Sequence, residues 1–237
     1  AALASAASRV AVAVFALGPI FRHHGGLERP PLSLFIAGLA PIFAISFPAI
    51  LTQLATPVGQ AFVTRAMAEF GEDAVAGMAI IARMSPLAFG TIFALSGAVG
   101  PIVGQNYGAG NFARVRRAFW DALLFTGIFV AVMTAILFAL RTHVAALFDA
   151  DGTALTLIYL FCGPLALAFF FNGAIFVANA SFNNLGRPFN STWLNWGRNT
   201  IGIIPLVWLG AHFYGASGAL IGQAVGGVIF GVFAIWL

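Results

Sequence analysis

The 237-residue chain is 61% hydrophobic and 8% charged, with a mean hydropathy of +0.97, 25 phenylalanines and no lysine among its 11 basic residues. That composition excludes a soluble globular domain and indicates an integral membrane protein. A net charge of +4 and a pI near 10.2 would point to nucleic acid in a soluble chain, but here the arginines sit in short loops between apolar runs, where they act as topology signals facing anionic lipid.

The first apolar run, Ala1 to Phe21, is just long enough to span a bilayer and lacks the basic start and cleavage site of a signal peptide. A polar loop follows, with Arg22, His23, His24 and Arg29, and Pro30 and Pro31 stop any helix from crossing it. The second segment, Leu34 to Ala66, carries Pro41, Pro48 and Pro57 and reads as an interfacial lead-in followed by a kinked span. Its polar residues Gln53, Thr56, Gln60 and Thr64 are spaced three, four and four apart, which places them on one helical stripe. Such a stripe faces a water-filled cavity or hydrogen-bonds to a neighbouring helix, because unsatisfied amides are costly in hydrocarbon.

Asp73 is a good N-cap for the third segment, Ala74 to Gln105. Arg83 lies about 15 Å of helical rise inside its boundary. A central arginine is expected to face the interior and pair, either with substrate or in an interhelical clamp to carbonyls or to the carboxylates near Glu69 to Asp73. The turn GQNYGAGN ends this helix: Gly110 supplies φ freedom, Asn111 is placed to cap the next helix, and Arg114, Arg116 and Arg117 mark that end as cytoplasmic.

Segment four, Phe119 to Leu140, is apolar apart from Thr126 and Thr134, and is followed by a loop carrying Arg141, His143, Asp149 and Asp151. Segment five, Ala154 to Phe182, is interrupted at Gly163 and Pro164 and holds the single cysteine, Cys162, as a packing residue. Its Asn172, Asn179 and Asn183 are spaced seven and four apart, a second polar stripe expected to partner the first. Segment six, Ser191 to Phe213, has Asn195, Arg198 and Asn199 near its start. Segment seven begins near Ser217 with Gly218, Gly222 and Gly226 as a packing ridge. Arg22, Arg29, Arg114, Arg116, Arg117 and Arg187 then fall on one side, and Arg65 and Arg141 on the other, which supports seven spans.

No catalytic constellation is visible. His143 and Asp149 lack a nucleophile beside them, GQNYGAG lacks the Gly-Lys-Ser/Thr ending of a phosphate loop, and metal-ligand spacing is absent. The reading is that of a membrane protein that is not an enzyme, carries no cofactor and binds no nucleic acid.

GQNYGAGNFARVRRA resembles the end of the eighth helix and the following loop of the multidrug and toxic compound extrusion (MATE) antiporters. GEDAVAGMAIIARMSPLAFGTIFALSGAVGPIV resembles the rest of that helix, and FNNLGRP, Phe182 to Pro188, the loop after the tenth. The resemblance implies an all-α transmembrane bundle of about seven spans. In it, residues 1–24 are the last helix of a missing N-terminal lobe, 25–33 a cytoplasmic linker, and 34–237 a six-helix C-terminal lobe. It implies a secondary antiporter of the bacterial inner membrane, exporting amphipathic or cationic compounds against H⁺ or Na⁺ as two lobes rock about a central cavity. Its partners would be a small-molecule substrate, membrane lipid and the missing lobe. A lipid-linked oligosaccharide flippase of the same superfamily is the alternative.

The sequence departs from the family in its acids. The family's first-helix aspartate is not in this chain, and Gln53, Gln60, Asn172 and Asn179 stand where some sodium-coupled members carry acids. The coupling site is therefore expected outside the chain. The expected substrate cavity is lined by Gln53, Thr56, Gln60, Thr64, Arg83, Asn172 and Asn179.

Overall fold

The computed structural model describes residues 2–23 and 31–237, all helical apart from short turns. His24 and Arg29, and with them most of the expected 25–33 linker, lie outside the described residues. The chain divides into two compact units, Ala1–Ala44 and Ile45–Leu237. The first holds α1 (Ala2–His23) and the start of α2 (Leu32–Ala68).

The second unit is an antiparallel helical bundle. It contains the rest of α2, α3 (Glu72–Gly108), α4 (Phe112–Leu147), α5 (Gly152–Leu160), α6 (Ala166–Asn184), α7 (Pro188–Gly197) and α8 (Ile204–Trp236). Four helical stretches are long and apolar enough to cross a membrane, and α2 makes a fifth if its two segments count as one span. The chain is an integral membrane protein built as an all-α polytopic bundle.

Local chemistry sets the breaks. Gly110, at φ +72°, closes the α3–α4 turn, where the Asn111 amide donates to Asn106 O at 2.8 Å. Asn111 occupies the N-cap of α4 but makes no side-chain cap bond. The cap of α3 is Gly71, one residue before Glu72, so Asp73 lies within the first turn and does not cap it. Arg141 lies inside α4 and not in a loop; its guanidinium sits over the Phe138 ring at 4.1 Å. Between α5 and α6 a π-turn, Phe161–Leu165, absorbs the missing N–H of Pro164, with Gly163 at φ −103°, ψ −115°.

The long stretch Ile204–Trp236 folds back on itself. Tyr214 and Gly215 leave helical geometry, Gly215 with φ +61°. Beyond them Gly218 packs on the Gly210 backbone, Gly222 on Leu206 O and Gly226 on Gly202 O. Each pair lies four residues further from the turn on both arms, which is the signature of an antiparallel hairpin. Its two backbones touch because no Cβ stands between them. Gly231 packs in the same way on the Phe171 backbone, so the hairpin also seats against α6.

The main core draws on six helices of the unit: Val63 and Met67 of α2, Phe89 and Ile92 of α3, Val130 of α4, Leu157 and Ile158 of α5, Ala166 of α6, and Val207 and Ala219 of α8. The Phe89 and Phe169 rings stack at 4.0 Å, and Cys162 is fully buried among these apolar groups. Much of α4 stays exposed, including Leu124, Phe125, Ile128 and Val132, as expected of a face turned to lipid.

Candidate functional site

The polar interior of the unit is organised by α7, which begins on Pro188 at the first-turn position that needs no N–H donor. Its residues alternate between two neighbours. Toward α6, Asn195 Nδ2 donates to Asn179 Oδ1 at 3.1 Å, Arg198 Nη1 donates to Asn172 Oδ1 at 2.6 Å, and Ser191 Oγ donates to Asn183 Oδ1 at 3.3 Å. Toward α2, Thr192 Oγ1 donates to Pro48 O at 3.0 Å and lies 3.0 Å from Thr52 Oγ1, while Trp196 Nε1 donates to Leu51 O at 2.9 Å.

The seam continues into the π-turn Arg198–Gly202. Asn199 is fully buried, donates to Asn195 O at 2.9 Å, and is packed so closely on Gly59 that a methyl there would fall 2.5 Å from its Oδ1. Gly59 therefore admits α7 to the side of α2. Arg198 is only 8% exposed, and its Nε, like Asn199 Oδ1 and Gln223 Oε1, is buried without a hydrogen-bond partner. The six described carboxylates, Glu69, Glu72, Asp73, Asp121, Asp149 and Asp151, are all exposed. Among the described residues the single ion pair joins Arg117 to Asp121, at 3.6 Å on the surface. Arg198 thus carries a charge inside the bundle with a neutral amide as its acceptor.

Sequence periodicity groups the asparagines of α6 on one face, but their hydrogen-bond partners are on α7 and at the start of the π-turn that follows it. Among the described residues no hydrogen bond joins Asn172 or Asn179 to the glutamines of α2. The physical reason is that Ser191, Asn195 and Arg198 form a polar stripe of their own at i, i+4, i+7 and reach the asparagines first.

The other stripe lies elsewhere. The buried ridge of α2 is Ala55, Gly59, Val63 and Met67, and Gln53, Thr56, Gln60 and Thr64 are exposed roughly a quarter-turn round the helix. Arg83 is also exposed on α3 and, among the described residues, makes no hydrogen bond or ion pair, so the expected interior clamp is not formed at that position. The buried arginine is Arg198, which sequence reading placed in segment six without a role. Its signal was the polar pairing of α7, Ser191–Thr192, Asn195–Trp196 and Arg198–Asn199, which recurs at helical spacing and so marks a helix polar on two sides. Among the described residues no group of three or more His, Cys, Asp or Glu could hold a metal ion.

Comparison with known proteins fits this architecture. The MatE family model matches residues 48–209. The chain is 35% identical over 196 residues to the "uncharacterized 21 kDa protein in iaaL 5′ region" of Pseudomonas savastanoi, covering 78% of this chain and 61% of the relative. It is 26% identical over 216 residues to the FAD transporter of Shewanella oneidensis, covering 90% of this chain and 48% of the relative. The crystal structure of the Vibrio cholerae MATE transporter VcmN in the bent form superposes with a TM-score of 0.85 at 25% identity, over 95% of this chain and 52% of that one. A MOP superfamily transporter from Pyrococcus furiosus shares the fold, with a TM-score of 0.76 at 19% identity over 88% of this chain and 47% of that one. The chain thus spans between about half and three-fifths of the length of these relatives.

Proposed function

Since the chain belongs to the MatE family, we propose that it supplies one lobe of a secondary active antiporter that exports amphipathic or cationic small molecules in exchange for H⁺ or Na⁺. The second lobe would complete a central cavity, and rocking of the two would expose that cavity to each side of the membrane in turn. Residues 34–237 would form a six-helix lobe, counting the two arms of the 204–236 hairpin separately, with residues 1–24 as the last helix of the preceding lobe and 25–33 as the linker. The end bearing Arg114, Arg116, Arg117 and Arg187 would face the cytoplasm of a bacterial cell, and the coupling ion would bind outside this chain.

The observation that carries this reading is the exposed stripe Gln53, Thr56, Gln60 and Thr64. Four polar side chains in a row on a membrane helix, turned away from their own core, need water or another protein surface against them. In the full-length protein, Gln53→Leu combined with Gln60→Leu is expected to lower export at least about tenfold at unchanged protein level, the loss of about 1.4 kcal/mol of transition-state stabilisation. Unchanged export would remove both residues from the cavity.

A second reading concerns substrate charge, and Arg198 favours it. None of the six described carboxylates lies with this guanidinium inside the lobe, and at an effective dielectric of about 20 it would repel a cation about 8 Å away by about 2 kcal/mol. An anionic, phosphate-bearing substrate is attracted by the same amount. A chemically compatible example is the cargo named for the Shewanella relative, and a lipid-linked sugar pyrophosphate belongs to the same class. Vesicles carrying the full-length protein and offered ethidium or FAD separate the two readings by which compound is transported.

A further inference from the structure

We infer that the groove between the head of α4, the end of α6 and the end of α8 is a binding site for an anionic phospholipid. The groove has a volume of about 790 Å³ and is lined by Tyr107, Arg116, Trp120, Phe182, Val232 and Trp236 among others. Its walls are apolar and aromatic, and its charged lining residue is Arg116.

The groove continues. A second hollow of about 510 Å³ shares Trp120 and Ile235 with the first and runs on past Leu124, Ile128 and Ala131. Trp120 to Ala131 is 11 residues of α4, about 16 Å along the axis. That matches half of a hydrocarbon core about 30 Å thick, the depth of one leaflet. An acyl chain lying along this track has its headgroup at Arg116.

Charge at that end selects the headgroup. Arg114, Arg116 and Arg117 stand within two turns at the head of α4, and Asp121 is engaged by Arg117 at 3.6 Å. Arg114 and Arg116 are exposed, and among the described residues neither has a carboxylate partner. The N-terminus of the 36-residue α4 adds to the field, because Asn111 leaves its first N–H groups without a side-chain cap. Guanidinium groups beside an apolar track fit a lipid phosphate with net negative charge, in which the tail contributes burial and the headgroup specificity.

Quenching of tryptophan fluorescence by brominated lipids tests the site, because Trp120 and Trp236 stand in its wall and are exposed. The full-length protein is reconstituted in vesicles whose brominated component is either phosphatidylglycerol or phosphatidylcholine. The Trp120-dependent signal is obtained by difference from Trp120→Phe. Phosphatidylglycerol is expected to quench with several-fold higher relative affinity, Arg116→Gln to reduce that preference about fivefold, and Arg116→Lys to retain most of it. Equal quenching by both lipids, or a preference that survives Arg116→Gln, overturns the inference. Quenching by neither lipid also overturns it, since a second copy of the chain would then cover the groove.

Discussion

Replacing Gly222 by isoleucine is expected to remove most of the folded full-length protein from detergent extracts. Gly222 faces Leu206 O across the hairpin, and a Cβ at this position would overlap that carbonyl and its carbon. The obstacle is backbone, which cannot rotate away as a side chain can, so the two arms must separate. Overpacking of a tight interior costs about 1–3 kcal/mol when side chains can adjust. Here about 3 kcal/mol or more is expected, because separation also loosens the contacts Gly218–Gly210 and Gly226–Gly202. Gly97→Ala is the matched control: nothing lies within 4 Å of a methyl at Gly97, and alanine is the better helix former by roughly 0.5–1 kcal/mol. Size-exclusion profiles after graded heating give the comparison. A Gly222→Ile protein as heat-resistant as wild type would mean that the hairpin does not depend on this contact.

The second large effect centres on Arg198. Asn172→Leu removes the acceptor of its Nη1 while Nε already lacks one, so a guanidinium is left inside the bundle with almost nothing to bond. A hydrogen bond to a charged group contributes about 1.5–3 kcal/mol, and the upper part of that range is expected here because the orphaned partner stays buried. Asn172→Asp should be at least as stable as wild type, since it keeps the acceptor and neutralises the charge. Adding Arg198→Met to Asn172→Leu should recover most of the loss, giving a coupling that a double-mutant cycle reads directly. Additive single-mutant losses in thermal melts of the full-length protein would show that the two residues do not act as a pair.

Much of this architecture was legible from the sequence. Gly163–Pro164, Gly110–Asn111 and the Gly218, Gly222, Gly226 repeat each carry a local steric message, and the structure breaks or packs the chain at those places. The α8 reversal at Tyr214–Gly215 falls in the gap between the sixth and seventh segments for the same reason. Helix rotation was harder to read. Helices that are apolar all round give no strong face, so depth along α3 suggested an interior Arg83, and only packing shows that the core side of that helix is Ile81, Met84 and Ala88.

Partner choice was harder still. Asn172 and Asn179 share a stripe by spacing alone, but spacing does not say which helix answers them. That was decided by α7, a ten-residue helix polar on two sides, inserted between α2 and α6. The polar run of α2 was found by its period, yet its surroundings depend on what lies against it beyond this unit.

Under the proposed function, the exposed amides of α2 would face water in a transport cavity and not lipid. Cys162 is fully buried, and replacing it, together with any cysteine outside these 237 residues, by alanine gives a background for Gln60→Cys in the full-length protein. In sealed membranes, a water-soluble, membrane-impermeant maleimide should label that position from the cavity's open side, and transported substrate should slow the labelling. Reaction only with a lipid-soluble maleimide, at a rate indifferent to substrate, would put the stripe against acyl chains and contradict the account.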